Sequence, residues 1–172
     1  MPSNPGQRHV WIERPEDVSA VQAIHTAAFG RPDEARMVAA VREVGAAAVA
    51  LVAGIGSRQV GHVLFSAVTI EGRTEPSGLG LAPIAVLPSE QRSGIGSRLI
   101  DAGLQRCRGL GYGYVVVLGN PAYYRRFGFT RASSFGLRCE YAVPDEAFMA
   151  LELQPGCLEA KPGVVRYLPA FV

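Results

Sequence analysis

Residues 84–97 read IAVLPSEQRSGIGS, and this stretch decides the fold of the 172-residue chain. The run begins in an apolar segment, passes through a polar turn that contains Arg92 and Gly94, and continues into an amphipathic helix. A strand, a glycine-containing turn and a helix N-terminus in this order are typical of a phosphate cradle, because unpaired amides point at the anion and the helix dipole favours it. An ordinary tight turn has the same short pattern, so both interpretations stay open at this point.

The glycine spacing excludes two other nucleotide-binding motifs. Gly94 and Gly96 lack the third glycine of a dinucleotide fingerprint, and no Gly-Lys-Ser/Thr follows them. Arg92 and Arg98 lie beside these glycines, and we expect their guanidinium groups to add charge-assisted hydrogen bonds to phosphate oxygens. A phosphate group held by backbone amides is therefore the functional hypothesis for this turn.

A second motif lies downstream, where residues 115–118 form a short apolar strand and residues 120–129 read NPAYYRRFGF. Together the two motifs resemble the acetyl-coenzyme A signature of the GCN5-related N-acetyltransferase (GNAT) superfamily. The family's Gln/Arg-x-x-Gly-x-Gly/Ala turn matches residues 91–96, and its Asn…Tyr-x-x-x-Gly-Phe motif matches residues 120–129. The wording GNPAYY at 119–124 and FGLRC at 135–139 is similar to the YhbS-like branch of predicted bacterial acetyltransferases.

The fold class follows first from periodicity and then, in more detail, from the resemblance. Hydrophobic spacing gives the element order β-α-α-β-β-β-α-β-α-β-β, which indicates an α+β or mixed α/β class. The resemblance implies one GNAT acyltransferase domain over residues 1–172, with a central, mostly antiparallel sheet flanked by helices and splayed between strands 4 and 5. The expected splayed strand, Leu79–Val86, carries Pro83, which removes one hydrogen bond from the ladder and fits that splay.

The resemblance also implies acetyl-CoA as the co-substrate, with no metal. In the family, the pantetheine arm bonds free backbone groups of the splayed strand and the pyrophosphate lies on amides of the turn. The residues assigned to the coenzyme in this way are Ile84, Ala85, Val86, Gln91, Arg92, Ser93, Gly94, Ile95, Gly96, Ser97, Asn120, Tyr123 and Tyr124.

The tyrosine that matches Tyr124 is the family's proposed general acid. A phenol with a pKa of about 10 keeps its proton at neutral pH and can donate it to the departing thiolate. Tyr123 is a competing phenol, and packing of the short helix is the alternative for both tyrosines. We expect a backbone amide near Val86 or Leu87 to stabilise the oxyanion.

The general base has several candidates, because Leu79–Leu87 contains no ionisable side chain, whereas many members of the family that the chain resembles have an acidic residue there. His62, on an earlier strand, is the candidate catalytic base, since its unperturbed pKa lies near 6.5. A structural histidine on an apolar strand is the alternative. Glu75, His25 and a chain of waters are further candidates for the proton acceptor.

Two aromatic residues and one basic pair have open interpretations. Phe29 and Tyr141 either line an acceptor pocket or pack in the core. Arg125-Arg126 either forms a solvated helix face or contacts the coenzyme's phosphates, and the salt dependence of binding would separate these two interpretations.

We therefore expect an acyltransferase that moves the acetyl group from acetyl-CoA to a primary amine by direct attack. The acceptor is expected to be a small-molecule or peptide amine. The alternative is a non-catalytic acyl-CoA-binding sensor or regulatory module, which the missing acidic residue favours. A further alternative is a partner-binding domain that uses the apolar tail Tyr167–Val172.

Composition limits the partners and the compartment. Seventeen Lys and Arg against fifteen Asp and Glu give a net charge of +2, which argues against a nucleic-acid-binding tail. Three widely spaced cysteines form no disulfide or metal pattern, so we expect a reducing, cytoplasmic compartment. The longest uncharged stretch, residues 44–57, is shorter than the roughly 20 residues of a membrane span, and residues 1–8 lack an apolar signal core. No membrane association is expected, and a homodimer is compatible with the family.

Overall fold

The computed structural model describes residues 4–73 and 78–171. In this part of the chain the strands are β1 (Arg8–Ile12), β2 (Ala47–Ile55), β3 (Arg58–Ile70), β4 (Gly78–Val86), β5 (Tyr114–Leu118), β6 (Thr130–Arg131), β7 (Leu137–Cys139), β8 (Phe148–Glu152) and β9 (Gly163–Arg166). The α-helices are α1 (Val18–Phe29), α2 (Asp33–Glu43), α3 (Ile95–Gly109) and α4 (Pro121–Tyr124).

Backbone contacts divide the chain into two compact units, the first being Met1–Leu64 with Pro83–Gly103. Here β1 and β2 pair as antiparallel strands, with Ile12 opposite Leu51. Helices α1 and α2 pack on each other, and each buries an apolar stripe at a spacing of three or four residues. The buried apolar members of the two stripes are Val21, Ile24, Ala35, Val38 and Val41. Strand β3, of which residues 58–64 belong to this unit, is buried along most of its length, as its two apolar faces predict.

The second unit is Phe65–Ala82 with Leu104–Val172. Strand β5 lies between two partners: it is parallel to β4, with Gly78 opposite Tyr114, and antiparallel to β8. Strand β9 pairs with the end of β3 and with β7. The core of this unit is apolar and includes Val68, Ile70, Tyr114, Val116, Leu137, Phe148, Leu158 and Val165.

Most predicted elements are confirmed to within a few residues at their ends. The apolar spacing of residues 16–29 predicts a helix, which begins with a 3₁₀ turn at Pro15–Asp17 and continues as α1. Residues 135–143 have the composition of a strand, but only Leu137–Cys139 is extended and paired. Strands β6 and β9, which are two and four residues long, were not predicted from the sequence.

Candidate active site

Hydrogen bonds hold the turn between β4 and α3. The Gln91 side chain donates to the Val86 carbonyl at 3.0 Å, and the Ser93 hydroxyl donates to the Glu90 carbonyl. The Arg8 guanidinium of β1 donates to the Ser93 carbonyl. The side chains of Gln91 and Ser93 therefore have partners within the turn, and what these residues offer an outside anion is their backbone amides.

Two residues of this turn have left-handed backbone conformations. Arg92 has φ +62° and Gly94 has φ +87°. Glycine adopts this conformation readily, whereas a residue with a Cβ pays roughly 1 kcal/mol or more. Successive amides in such a turn point to one side and form a concavity that binds anions. A Cβ placed on Gly94 would meet no atom within 4 Å, so the space beside the turn is open.

Helix α3 continues the same surface. The amide of Arg98 donates to the Gly94 carbonyl at 3.1 Å, as a helical amide should. The amides of Ile95, Gly96 and Ser97 precede it and have no acceptor inside the helix. Ile95 is buried and anchors the helix, while Arg98 is exposed. The turn and the first turn of α3 therefore supply the donors and the room that a diphosphate requires.

One of the two amides expected to stabilise an oxyanion has another partner. The Leu87 amide donates to the Val60 carbonyl of β3 at 2.8 Å. It has no second proton to offer, so the expectation is wrong for Leu87. The Val86 amide remains as the predicted donor.

Tyr124 ends α4 in a tightly packed aromatic group. Its side chain is 7% exposed, and its ring meets those of Phe129 and Tyr123 edge-on, with centroids 5.8 and 5.1 Å apart. A Cβ on Gly119 would lie 2.4 Å from Tyr124 Cε2, so only glycine leaves room for the ring. Burial raises the pKa of Tyr124 to about 12, and the phenol keeps its proton at neutral pH.

Asn120 has a structural role at the start of α4. Its Oδ1 accepts a hydrogen bond from the Ala122 amide at 2.9 Å, which makes it the N-cap of this short helix. Its carbonyl accepts from the Tyr124 amide at 3.1 Å. Tyr123 is half-buried, and the exposed guanidinium of Arg126 lies 5.4 Å from the centre of its ring.

His62 lies in the middle of a hydrogen-bonded chain of side chains in the first unit. Its Nε2 is 3.2 Å from Glu13 Oε2, and its Nδ1 is 2.8 Å from His25 Nε2. Glu13 also forms an ion pair with Arg42 of α2. Both imidazoles are 0% exposed. Because both ring nitrogens of His62 are already hydrogen-bonded, His62 can reach an amine proton only by giving up one of these bonds or through His25.

The surroundings of Glu13 and His25 determine the charge states of these two side chains. Burial of the Glu13 carboxyl would by itself raise its pKa, but the hydrogen bonds and charges of His62 and Arg42 outweigh burial, and the pKa is lowered. Burial lowers the pKa of His25 to about 3, and the neighbouring His62 acts in the same direction. At neutral pH, Glu13 is therefore a carboxylate and His25 is a neutral imidazole.

The two aromatic residues considered for the acceptor pocket lie at or near the surface. Phe29, the last residue of α1, is 42% exposed, and its ring is nearly parallel to that of His25. Tyr141 lines a cavity of about 210 Å³ together with Asp145 and Phe148. Neither residue is fully buried. Glu75 lies outside the described residues, as does Val172 at the end of the tail.

The predicted coenzyme residues occur as two groups. Residues 84–86 and 91–97 belong to the first unit, whereas Asn120, Tyr123 and Tyr124 belong to the second. Among residues 4–73 and 78–171, no group of three or more His, Cys, Asp or Glu is placed to hold a metal ion. Over the same residues, no helix has both the length and the apolar character needed to cross a membrane.

Glu13 and Arg42, which belong to the hydrogen-bonded group around His62, were not predicted from the sequence. Glu13 is charged but follows directly after an apolar strand, and Arg42 borders the apolar stripe of α2. An ionisable residue at such a position is a signal for a buried partner. The strained φ of Arg92 had no signal, because arginine does not mark a left-handed residue.

Comparison with known proteins gives one consistent family. The family model described as an acetyltransferase (GNAT) domain matches residues 13–132. The N-acetyltransferase YhbS of Escherichia coli strain K12 is 35% identical over 157 residues, which cover 91% of this chain and 93% of YhbS.

Two crystal structures resemble the whole chain. That of YhbS from Escherichia coli in complex with CoA matches with a TM-score of 0.91 and 32% identity, over 98% of this chain and 94% of that one. That of a GNAT family acetyltransferase from Brucella melitensis in complex with acetyl-CoA matches with a TM-score of 0.81 and 35% identity, over 96% and 99%. The predicted fold class, a mixed α/β acyltransferase fold with parallel β4 and β5 at its splay, is confirmed by these matches.

Proposed function

We propose that this chain, which belongs to the GNAT family of N-acetyltransferases, moves the acetyl group of acetyl-CoA to a primary amine by direct attack of the amine on the thioester. The observation that carries the proposal is the turn at residues 91–97. In this turn, Arg92 and Gly94 adopt left-handed conformations. The first amides of α3, which have no acceptor inside the helix, follow directly. The CoA and acetyl-CoA in the two related crystal structures support the same ligand here.

The first unit would hold the diphosphate and the pantetheine arm. The amides of Arg92 to Ser97 would donate to the diphosphate, while Gln91 fixes the turn through the Val86 carbonyl. Backbone groups of Ile84, Ala85 and Val86 would bond the pantetheine arm. The Val86 amide would stabilise the oxyanion, since Leu87 is committed to Val60.

The second unit would supply the general acid. Tyr124 keeps its proton at neutral pH because it is buried, and a protonated phenol can donate to the sulfur as the carbon–sulfur bond breaks. Asn120 and Tyr123 would contact the coenzyme, and Asn120 also caps the helix that carries Tyr124. The assignment of these three residues to the coenzyme follows from the family signature at residues 120–129.

The amine side would use His62 through its hydrogen bonds. A small-molecule or peptide amine is the proposed acceptor, and His62 would act on it within its chain with Glu13 and His25. A single domain over residues 1–172, a cytoplasmic location and a homodimer belong to the same proposal and stay predictions.

The decisive experiment measures acetyl-CoA binding by isothermal titration calorimetry for the native chain and for Gly94→Glu. A carboxylate about 4 Å from a phosphate costs about 4 kcal/mol at an effective dielectric constant of 20, so we expect at least about 100-fold weaker binding. Unchanged binding by Gly94→Glu would contradict the proposed cradle.

Gly111→Glu is the matched control for this substitution. Gly111 has φ +88° and, like Gly94, has no atom within 4 Å of an added Cβ, so both variants carry the same backbone strain and the same charge. We expect Gly111→Glu to bind acetyl-CoA as the native chain does. If the chain binds acetyl-CoA but releases no free CoA thiol with any amine of a test panel, it is instead a non-catalytic acyl-CoA-binding module.

A further inference from the structure

Glu13, His62 and His25 are joined in a row by hydrogen bonds, and the carboxylate at one end determines which atom donates in each bond. Glu13 is ionised and can only accept, so the proton between it and His62 must be on His62 Nε2. When this is the only proton on the imidazole, the lone pair of His62 is on Nδ1. The proton of the 2.8 Å bond to His25 must therefore be on His25 Nε2.

The hydrogen-bonded row of Glu13, His62 and His25 ends at His25 Nδ1. With its proton on Nε2, a neutral His25 has a lone pair on Nδ1. That atom is fully buried, and in the described part of the chain it has no hydrogen-bond partner. Leaving a buried polar atom unpaired is unfavourable, and such atoms call for a ligand, a water or a mechanistic role. The exposed ring of Phe29 lies beside this imidazole, one helical turn further along α1.

The two carboxylates near His25 are each paired with an arginine. Glu13 is paired with Arg42, and Glu34 accepts from Arg31 with a distance of 3.1 Å between Nε and Oε1. No unpaired carboxylate among these groups remains to stabilise an ammonium ion at this buried nitrogen. An uncharged amine can enter such a place at much lower desolvation cost than its conjugate acid.

From this geometry we propose that Glu13 and His62 are positioning residues that fix the His25 tautomer, and that His25 Nδ1 accepts an N–H of the acceptor amine, which arrives uncharged. The proposal rests on the proposed acetyl transfer and assigns its amine side to a nitrogen other than those of His62.

The amine nitrogen forms its bond to the acetyl carbon, the carbon–sulfur bond breaks, and the sulfur leaves with the electron pair and takes the Tyr124 proton. The amine proton passes to His25 Nδ1, and water then removes it and restores Tyr124. A weak base suffices, because nitrogen becomes strongly acidic only as its bond to the acetyl carbon forms.

The first test compares two substitutions of His25. In His25→Gln, the side-chain amide NH₂ can take the place of Nε2–H and donate to His62. The amide oxygen that replaces Nδ1 can accept a hydrogen bond but is far too weak a base to take up a proton. We expect kcat to fall at least about 100-fold, a typical contribution of a proton acceptor. The KM for acetyl-CoA and the melting temperature should stay near those of the native chain. His25→Phe keeps an aromatic ring beside Phe29 but removes the hydrogen bond to His62. This variant should lose both activity and stability.

The possible outcomes separate this inference from the proposed function. Thiol release that survives His25→Gln would overturn the role of His25 and leave acetyl transfer intact. No thiol release from the native chain with any amine would overturn the proposed function and this role together. For Glu13→Gln we expect a smaller loss of kcat than for His25→Gln, because the nitrogen remains while its tautomer is less firmly set.

A spectroscopic test examines the tautomers directly. Long-range ¹H–¹⁵N correlation spectra of the imidazoles at pH 8 should show His25 and His62 each with its proton on Nε2. A His25 signal with its proton on Nδ1 would overturn the proposal. In Glu13→Gln, the His62 signals should change toward a mixture of tautomers, which a purely space-filling role of Glu13 would not produce.

The pH profile of the best amine in the panel is the third readout. The groups that face His25 are Glu13, Glu34, His62, Arg31 and Arg42, and the carboxylates stay ionised above pH 6. We expect kcat/KM to rise about tenfold per pH unit up to the pKa of the amine itself, because only the free base reacts. A profile that is flat below that pKa would overturn the requirement for an uncharged amine.

Discussion

His25 in the first unit and Tyr124 in the second are both buried ionisable side chains, and burial moves their pKa values in opposite directions. The pKa of His25 falls to about 3, and that of Tyr124 rises to about 12. In both cases the uncharged form is favoured, because a charged group is poorly solvated in the interior. Burial therefore leaves His25 with a lone pair, which suits a proton acceptor, and leaves Tyr124 with its proton, which suits a proton donor.

The two groups are held by different means. His25 is oriented by a polar chain that ends at an ionised carboxylate, whereas Tyr124 is oriented by aromatic rings and by the space that Gly119 leaves. An imidazole has two nitrogens, so a hydrogen bond is needed to decide which one has the lone pair. A phenol has one hydroxyl that rotates to suit its partner, so shape alone can place it.

The largest expected effect concerns the donor. Tyr124→Phe removes the hydroxyl and keeps the ring against Phe129. We expect kcat to fall at least about 100-fold, because general acid catalysis typically contributes that much. The dissociation constant for acetyl-CoA, measured by titration calorimetry, should change far less than kcat.

Tyr114→Phe is the matched control for the donor. Tyr114 is also buried, and burial raises the pKa of its phenol to about 12 as well, but it begins β5 in the core of the second unit. Its loss should leave kcat near that of the native chain. Equal losses in the two variants would mean that a buried phenol matters for stability rather than for proton transfer.

The second prediction concerns acid stability and tests the acceptor side. Between pH 6.5 and about pH 3, unfolded His25 binds a proton that the folded state does not, so the free energy of unfolding rises with pH and is lost as pH falls. The limiting slope is about 1.4 kcal/mol per pH unit for one group. Urea unfolding between pH 7 and pH 5 should show this slope in the native chain and a smaller slope in His25→Phe.

The chosen pH range separates His25 from the carboxylates. Glu13 has a lowered pKa, so the stability it contributes is lost only well below pH 5. The same pH slope in His25→Phe and in the native chain would contradict a neutral, buried His25.

The parts of the site that the sequence predicted are those whose residues are neighbours in the chain. The cradle residues lie within one turn and Tyr124 lies within a ten-residue motif, so the resemblance to the family signature could be found in two short stretches of sequence. The same is true of helices and strands whose apolar period extends over eight or more residues. Strand β9 has four residues and pairs with partners far away in the chain, so no local period marks it.

The histidine chain could not be predicted, because its contacts are between distant residues. Glu13 and His62 are 49 residues apart, and His62 and His25 are 37 apart. Each residue alone has several interpretations, and only the folded first unit joins them. His62 was found as a candidate base, but its engaged nitrogens, and therefore the free nitrogen on His25, are properties of the packed structure.

The smallest expected effect concerns the cap of the helix that carries Tyr124. Asn120→Ala removes the acceptor for the Ala122 amide, which should lower the free energy of unfolding by about 1 kcal/mol. Asn120→Asp keeps that acceptor and should restore the stability, as urea unfolding at pH 7 would measure. If packing alone places Tyr124, kcat in Asn120→Ala should fall far less than in Tyr124→Phe. A loss as large as that of Tyr124→Phe, with Asn120→Asp active, would show that the donor depends on a hydrogen bond for its orientation as the acceptor does.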